Sequence, residues 1–133
     1  MITANSNHIT LVTNNQIASS ALIVAALFVF FLLVVLAESV VLQLLGWGDL
    51  RQSLRSSFFM NLVSSPFVII SLALVPRLGL SGLLISFVTS ILCESLVLAR
   101  LKKVSLRESW WIAITANLAS YLIFILPTYL FSQ

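Results

Sequence analysis

The sequence is poor in charge. Only 8% of its 133 residues are charged, with four acidic and seven basic side chains in all. A soluble domain carries about 25% charged residues, because its surface must face water. With a mean hydropathy of +1.13, this shortage excludes a water-covered globular domain and predicts an integral membrane protein.

Cysteine and histidine are scarcer still, with one of each, Cys93 and His8. A single cysteine cannot form an intrachain disulfide, and no Cys/His cluster exists to hold a metal or a haem. The sequence also lacks a glycine-rich phosphate loop and a nucleophile–base set. We therefore expect no enzymatic activity, no cofactor and no metal site, and interpret His8 as a solvated residue.

Long apolar runs fill the rest of the chain. A membrane-spanning helix needs about 20 predominantly apolar residues, and four segments qualify: 18–45, 57–75, 80–99 and 110–131. We predict an all-α integral membrane fold, with a polar N-terminal tail over 1–17 and a single four-helix transmembrane domain over 18–133. The first run has no basic residue before it and no clear cleavage site, so we expect a retained anchor.

The basic residues predict the orientation in the membrane, because positive side chains stay on the cytoplasmic side. Two predicted connections hold six of the seven: Arg51, Arg55, Arg100, Lys102, Lys103 and Arg107. Both termini are then expected on the non-cytoplasmic side, in a bacterial plasma membrane. Trp47, Trp110 and Trp111 flank these loops and are predicted to be interfacial anchors. The net charge of +3 fits contact with lipid headgroups better than nucleic-acid binding.

The chain also repeats itself with a period of 56 residues. The segment 38–64, ESVVLQLLGWGDLRQSLRSSFFMNLVS, matches 94–120, ESLVLARLKKVSLRESWWIAITANLAS, at 11 of 27 positions without a gap. The shared Glu, Arg, Ser and Asn carry the most weight, since these residues are scarce here. Each unit contains two spans, so we predict a parallel repeat of two helical hairpins, at about 18–75 and 80–131, that form one four-helix bundle.

Each predicted hairpin carries one glutamate and one asparagine inside apolar helix: Glu38 with Asn61, and Glu94 with Asn117. Both members of a pair are equally far from the turn between their spans, and Glu38 is expected about 10 Å below the membrane surface. We therefore predict a hydrogen bond from each amide to its carboxyl group. A carboxyl group in hydrocarbon is expected to be protonated unless a basic side chain, Arg51 or Arg107, reaches it.

Small and hydroxyl residues line the predicted spans at helical spacing. Such stripes allow close approach of helix backbones, and polar side chains add interhelical hydrogen bonds. The predicted packing stripe comprises Gly82, Ser86, Ser90, Ser64 and Ser120. Pro66 and Pro127 are predicted to kink spans two and four, but they do not align in the repeat.

The second repeat unit resembles a known family. The run Glu94-Ser-Leu-Val-Leu-Ala-Arg-Leu-Lys-Lys-Val-Ser, followed by Ala116-Asn117-Leu118-Ala119-Ser120, is similar to a segment of the cyanobacterial filament-integrity proteins of the FraC type. The resemblance covers about a quarter of the chain, and the first repeat unit fits it more loosely. It implies a non-enzymatic membrane component involved in assembly or cell–cell connection.

Two functions fit these observations. In the first, the chain is a small accessory or scaffold subunit of a larger membrane assembly, contacting lipid and other membrane subunits or further copies of itself. Glu38 and Glu94 are then hydrogen-bond partners that lock the hairpins. In the second, the chain is an oligomeric ion channel or small transporter that uses these glutamates, because carboxyl groups in membranes often mark ion paths. The first is favoured, since the two halves lack broken helices at matched positions.

Overall fold

The computed structural model of the protein describes residues 3–73 and 75–131, with side chains for residues 18–71, 73 and 75–131. The predicted polar tail, including His8, lies outside the residues whose side chains are described. Over the described range the chain is entirely helical apart from its connections. The elements are α1 (Thr3–Leu44), α2 (Leu50–Leu72), α3 (Val75–Leu78), α4 (Leu80–Lys102), α5 (Leu106–Ser120), a π-helix (Tyr121–Ile125) and α6 (Leu126–Phe131).

Four of these helical stretches are long and apolar enough to cross a membrane: Ala18–Leu44, Leu50–Ser71, Leu80–Lys102 and Leu106–Phe131. They pack as a bundle, which confirms the predicted fold class. The second and fourth spans begin earlier than predicted, because their polar first turns are already helical. Hydropathy alone does not detect such turns, since they continue the helix with water-facing side chains.

The chain divides into two compact units, residues 1–33 and 34–133. In the first unit, the side chains of residues 18–29 are exposed. In the second unit, α4 packs against both α2 and α5, and α3 packs against α4. All contacts described below lie within residues 34–133. We call α1–α2 the first hairpin and α4–α5 the second hairpin.

Side-chain caps start the returning helix of each hairpin. The Asp49 carboxylate accepts the backbone N–H of Gln52 at 2.7 Å, and the Ser105 hydroxyl accepts that of Glu108 at 3.2 Å. Each cap satisfies one of the N–H groups that the first turn of a helix leaves without a partner. The caps lie 56 residues apart, so both returning helices begin at matching places in the sequence.

The interior of the bundle is polar. Among the described residues, nine hydrophobic side chains are buried, against fifteen that are polar or charged. The outer surface is apolar, because many leucine, isoleucine, valine and phenylalanine side chains are exposed there. A soluble protein would place these residues inside. The distribution fits a chain whose solvent is lipid and whose helices associate through small and hydroxyl residues.

Trp47 differs from its predicted interfacial position. It is only 2% exposed, its indole Nε1–H donates to the Ser56 hydroxyl at 2.8 Å, and Lys102 Nζ lies 4.5 Å from its ring centre. A cation over an indole face is an attractive contact, so Trp47 joins the connection of the first hairpin to the end of α4. Trp110 and Trp111 are 43% and 65% exposed, as interfacial anchors require.

The two prolines predicted to kink spans lie in different settings. Pro66 is inside α2, whereas Pro127 is the second residue of α6, two residues after the end of the π-helix. There the Leu126 N–H donates to the Tyr121 carbonyl, one residue further back than in an α-helix. Proline has no backbone N–H to donate to the preceding turn of the helix. The change from α-helical to π-helical hydrogen bonding therefore occurs next to the residue that lacks a donor.

Gly82 marks the closest approach of backbones in the connection between the hairpins. A Cβ added there would lie 3.0 Å from the Cα atom of Val75 and 3.2 Å from its backbone nitrogen. These are backbone atoms, which cannot rotate away as a side chain can. Glycine is therefore required where α3 rests on the first turn of α4.

We expect Gly82→Val to destabilise the bundle by about 1–3 kcal/mol, the usual range for overpacking a tight contact. The measurement is chemical unfolding in detergent, followed by tryptophan fluorescence. Ser81→Val is the matched control, because it adds the same side chain at an exposed neighbouring position. Equal stability losses in the two variants would contradict the packing role of Gly82.

Candidate functional site

The Glu38 carboxyl group is 1% exposed and lies among three hydrogen-bonding side chains from two other helices. Asn61 Nδ2 on α2 donates to Oε2, and the Ser57 hydroxyl is 3.3 Å from the same oxygen. The Ser120 hydroxyl, at the end of α5, is 2.9 Å from Oε1. Both carboxyl oxygens of Glu38 therefore have partners.

The Glu94 carboxyl group is fully buried and has a similar set of partners. Asn117 Nδ2 on α5 donates to Oε2. Oε1 is 2.9 Å from the Ser64 hydroxyl on α2 and 2.8 Å from the Ser90 hydroxyl, one turn earlier on α4. No carboxyl oxygen of the two glutamates is left without a hydrogen-bond partner.

The partners cross between the hairpins. Each glutamate receives the amide of the asparagine in its own hairpin and the hydroxyl of a serine in the other hairpin. Ser64 and Ser120 occupy equivalent positions, three residues after Asn61 and Asn117. The two serine–carboxyl contacts thus join the hairpins at the centre of the bundle.

Two further contacts close a loop. The Ser120 hydroxyl is 3.1 Å from the Asn117 carbonyl oxygen, and the Ser64 hydroxyl is 3.5 Å from the Asn61 carbonyl oxygen, a long contact. Following these contacts from residue to residue leads back to the start. We call this set the central polar ring; its members are Glu38, Asn61, Ser64, Glu94, Asn117 and Ser120.

Local helix geometry positions the two amides. Asn61 Nδ2 also donates to the Ser57 carbonyl, and Asn117 Nδ2 to the Ala113 carbonyl, each at 3.0 Å and four residues back. Only the NH₂ end of an amide can donate to a carbonyl. These contacts fix which end of each asparagine faces its glutamate.

The two halves differ in their additional hydroxyl. Ser57, which contacts Glu38 and also donates to the Val35 carbonyl at 3.0 Å, is replaced by Ala113 at the equivalent position of the second hairpin. Ser90, which contacts Glu94, is replaced by Val34 at the equivalent position of the first hairpin. Each glutamate therefore has one further hydroxyl partner from its own hairpin. For Glu38 this hydroxyl lies on α2, and for Glu94 it lies on α4.

Basic side chains lie away from the ring. Arg51 and Arg107, the candidates for reaching the glutamates, are exposed, and neither is among the hydrogen-bond partners of the carboxyl groups. The remaining predicted loop residues, Arg55, Arg100 and Lys103, are also exposed, whereas Lys102 is half-buried over Trp47. In the part of the chain that the structure describes, the ring contains two acidic groups and no cation.

The predicted packing stripe has several roles. Gly82 contacts α3, and the Ser86 hydroxyl is 2.7 Å from that of Tyr121 at the start of the π-helix. Ser64, Ser90 and Ser120 are direct partners of the carboxyl groups. Sequence reasoning predicted interhelical hydrogen bonds for these serines but did not assign the carboxyl groups as their partners, and it did not include Ser57 in the stripe. The recurrence of Asn-Leu-x-Ser in both repeat units was the signal for Ser64 and Ser120.

Surface grooves lie apart from the ring. One, of about 500 Å³, is lined by Leu106, Arg107, Trp110, Trp111 and Ile114 on α5. Another, of about 190 Å³, runs between α4 and the end of the chain and is lined by apolar residues together with Tyr121. Neither groove is lined by a ring residue. Among the described residues, no group of three or more His, Cys, Asp or Glu side chains is placed so that it could hold a metal ion.

We expect Ser64→Ala and Ser120→Ala each to destabilise the bundle by about 0.6–2 kcal/mol, the range of interhelical hydrogen bonds in membranes. Because both serines belong to one ring, the double variant should deviate from additivity. The measurement is unfolding in detergent. Ser95→Ala is the control: this serine is equally buried but donates only to the Leu92 carbonyl of its own helix. A loss as large in the control as in the ring variants would contradict the cross-hairpin role.

Comparison with known proteins adds no relative. No protein-family model, no curated protein and no solved structure matches the chain. The similarity of the second repeat unit to FraC-type proteins therefore stays a prediction from the sequence.

Proposed function

We propose that the protein is a small, non-enzymatic integral membrane subunit, an accessory or scaffold component of a larger membrane assembly. The observation that supports this most is the closure of the central polar ring. All four carboxyl oxygens of Glu38 and Glu94 have hydrogen-bond partners within the chain. A buried polar network that is fully satisfied stabilises one arrangement of its helices and has nothing left to offer a ligand.

Transport is less well supported by this geometry. A carboxyl group that moves ions must exchange its partners with water or with the ion along a path. Both glutamates are at most 1% exposed, and the grooves on the surface are lined by other residues. An ion path through the glutamates would require the contacts between the hairpins to open.

The outer surface suits a subunit role. Among the described residues, exposed large hydrophobic side chains occur on all four spans. The connections between the spans are short, so a partner must meet the protein within the bilayer or at the basic loops. We place those loops on the cytoplasmic side of a bacterial plasma membrane, with both termini on the opposite side, because of the distribution of basic residues.

We further propose that the two hairpins are a duplicated unit. The sequence identities recur at 56 residues, and the same atoms meet in each half: amide to Oε2 and serine hydroxyl to Oε1. A pseudo-two-fold axis along the membrane normal would relate such units. The similarity to FraC-type proteins supports a role in assembly or cell–cell connection.

Ion flux in proteoliposomes tests the proposal against its rival. We expect proton and potassium flux through vesicles containing the protein to equal that of protein-free vesicles, because the ring offers no open path. Glu38→Gln and Glu94→Gln should leave this background unchanged. Flux that appears with the native chain and vanishes in both variants would overturn the scaffold role in favour of a channel or transporter.

Purification from the native membrane in mild detergent tests the subunit role itself. We expect the chain to migrate in an assembly larger than itself, with one protein recurring at a fixed ratio after crosslinking and native mass spectrometry. Disruption of the ring by the Ser64→Ala/Ser120→Ala pair should reduce that ratio, whereas Ser95→Ala should not. A single chain without a recurring partner would contradict the proposal.

A further inference from the structure

We propose that the central polar ring binds two protons, one on Oε1 of Glu38 and one on Oε1 of Glu94. The hydrogen bonds of the ring then all run in the same direction. This inference deepens the proposed structural role of the ring and rests on it. It assigns each proton to a named oxygen atom, and it makes the hydroxyl oxygens of Ser64 and Ser120 the acceptors of the hydrogen bonds that the protonated carboxyl groups donate.

The first step concerns the Oε2 atoms. Each Oε2 faces the NH₂ end of an asparagine, and contacts with the Ser57 and Ala113 carbonyls hold the two amides in that orientation. An NH₂ group donates and cannot accept. Oε2 of each glutamate therefore accepts from the amide. Oε2 of Glu38 also lies 3.3 Å from the Ser57 hydroxyl, but this contact is longer than the 2.9 Å from Oε1 to the Ser120 hydroxyl. The geometry thus favours a proton on Oε1, the other oxygen.

The second step concerns the Oε1 atoms. Oε1 of Glu38 contacts the Ser120 hydroxyl, and Oε1 of Glu94 contacts the Ser64 and Ser90 hydroxyls. A hydroxyl group rotates and can either donate or accept. Oε1 is thus the oxygen whose partners accept a proton donated by the carboxyl group.

The third step follows the serine hydrogen. When Ser120 accepts from Glu38, its own hydrogen is free to point at the Asn117 carbonyl, 3.1 Å away. Ser64 in the same way accepts from Glu94 and can donate to the Asn61 carbonyl at 3.5 Å, while the Ser90 hydroxyl donates to Oε1 of Glu94. Each asparagine then donates from its amide to the next glutamate, so the contacts between ring residues all run in the same direction.

A ring with ionised glutamates would be less stable, both in its hydrogen bonds and in its buried charge. Both serines would have to turn their hydrogens to the carboxylates. The Asn117 carbonyl would then lose the Ser120 hydroxyl as a donor, and the Asn61 carbonyl would lose that of Ser64 while keeping that of Ser65. Two negative charges would also share one buried site, and no cation lies in it among the described residues. Burying unpaired charge is costly, and more so in a membrane. The other titratable side chains near the ring, Tyr121 and Cys93, supply no positive charge: Tyr121 holds its hydroxyl against Ser86, and Cys93, next to Glu94, is a free thiol.

Infrared spectroscopy of the reconstituted full chain tests this protonation directly. Glutamates labelled with ¹³C at the side-chain carboxyl carbon occur at 38, 94 and 108, and Glu108→Gln leaves the two ring members as the only labelled groups. We expect two protonated carboxyl C=O bands and no labelled carboxylate band at neutral pH in a lipid bilayer. Glu38→Gln and Glu94→Gln should each remove one band. Carboxylate bands from either glutamate at neutral pH would overturn the proposal.

The serine variants test the direction of the ring. Ser120→Ala should shift the C=O band of Glu38 and leave that of Glu94 in place, because only Glu38 loses the acceptor of its hydrogen bond. Ser64→Ala should shift the C=O band of Glu94 for the same reason. The control Ser95→Ala should shift neither band. Bands unmoved by the ring variants would overturn the assignment of the proton to Oε1. If flux is absent but the glutamates are ionised, the proton sites fail while the scaffold role stands.

Discussion

The structure depends on one contact made twice, in which the serine hydroxyl of one hairpin reaches the carboxyl group of the other. Lipid supplies no hydrophobic force between helices, because its tails are as apolar as the side chains. Hairpins in a bilayer must therefore be joined by close packing and hydrogen bonds. The polar interior of this chain, with its many buried serines, follows from that constraint.

Asparagine and serine have different roles in the central polar ring. Asparagine is held by the carbonyl four residues back in its own helix, so it presents a fixed donor to the glutamate of the same hairpin. Serine can donate or accept, so it adjusts to whatever the carboxyl group of the other hairpin presents. Each glutamate therefore has a fixed partner within its own hairpin and an adjustable one in the other hairpin.

The spans and the glutamate–asparagine pairs could be predicted from the sequence, since hydropathy and distance from the turn set their depth. The crossing of Ser64 and Ser120 could not, because spacing along one helix does not say which neighbouring helix it meets. The burial of Trp47 was missed for a related reason: its partners Ser56 and Lys102 belong to different helices. The helix starts at Leu50 and Leu106 were hidden by polar first turns, although the caps Asp49 and Ser105 were visible in the sequence.

The two hairpins differ in the additional hydroxyl group that contacts their glutamate. In the second hairpin this hydroxyl belongs to Ser90 on α4, the helix that carries Glu94, so that bond does not join helices. In the first hairpin it belongs to Ser57 on α2, which contacts Glu38 and also donates to the Val35 carbonyl of α1. Ser57 thus ties α1 to α2 through two contacts. In the second hairpin Ala113 occupies the equivalent position, and α4 packs against both α2 and α5.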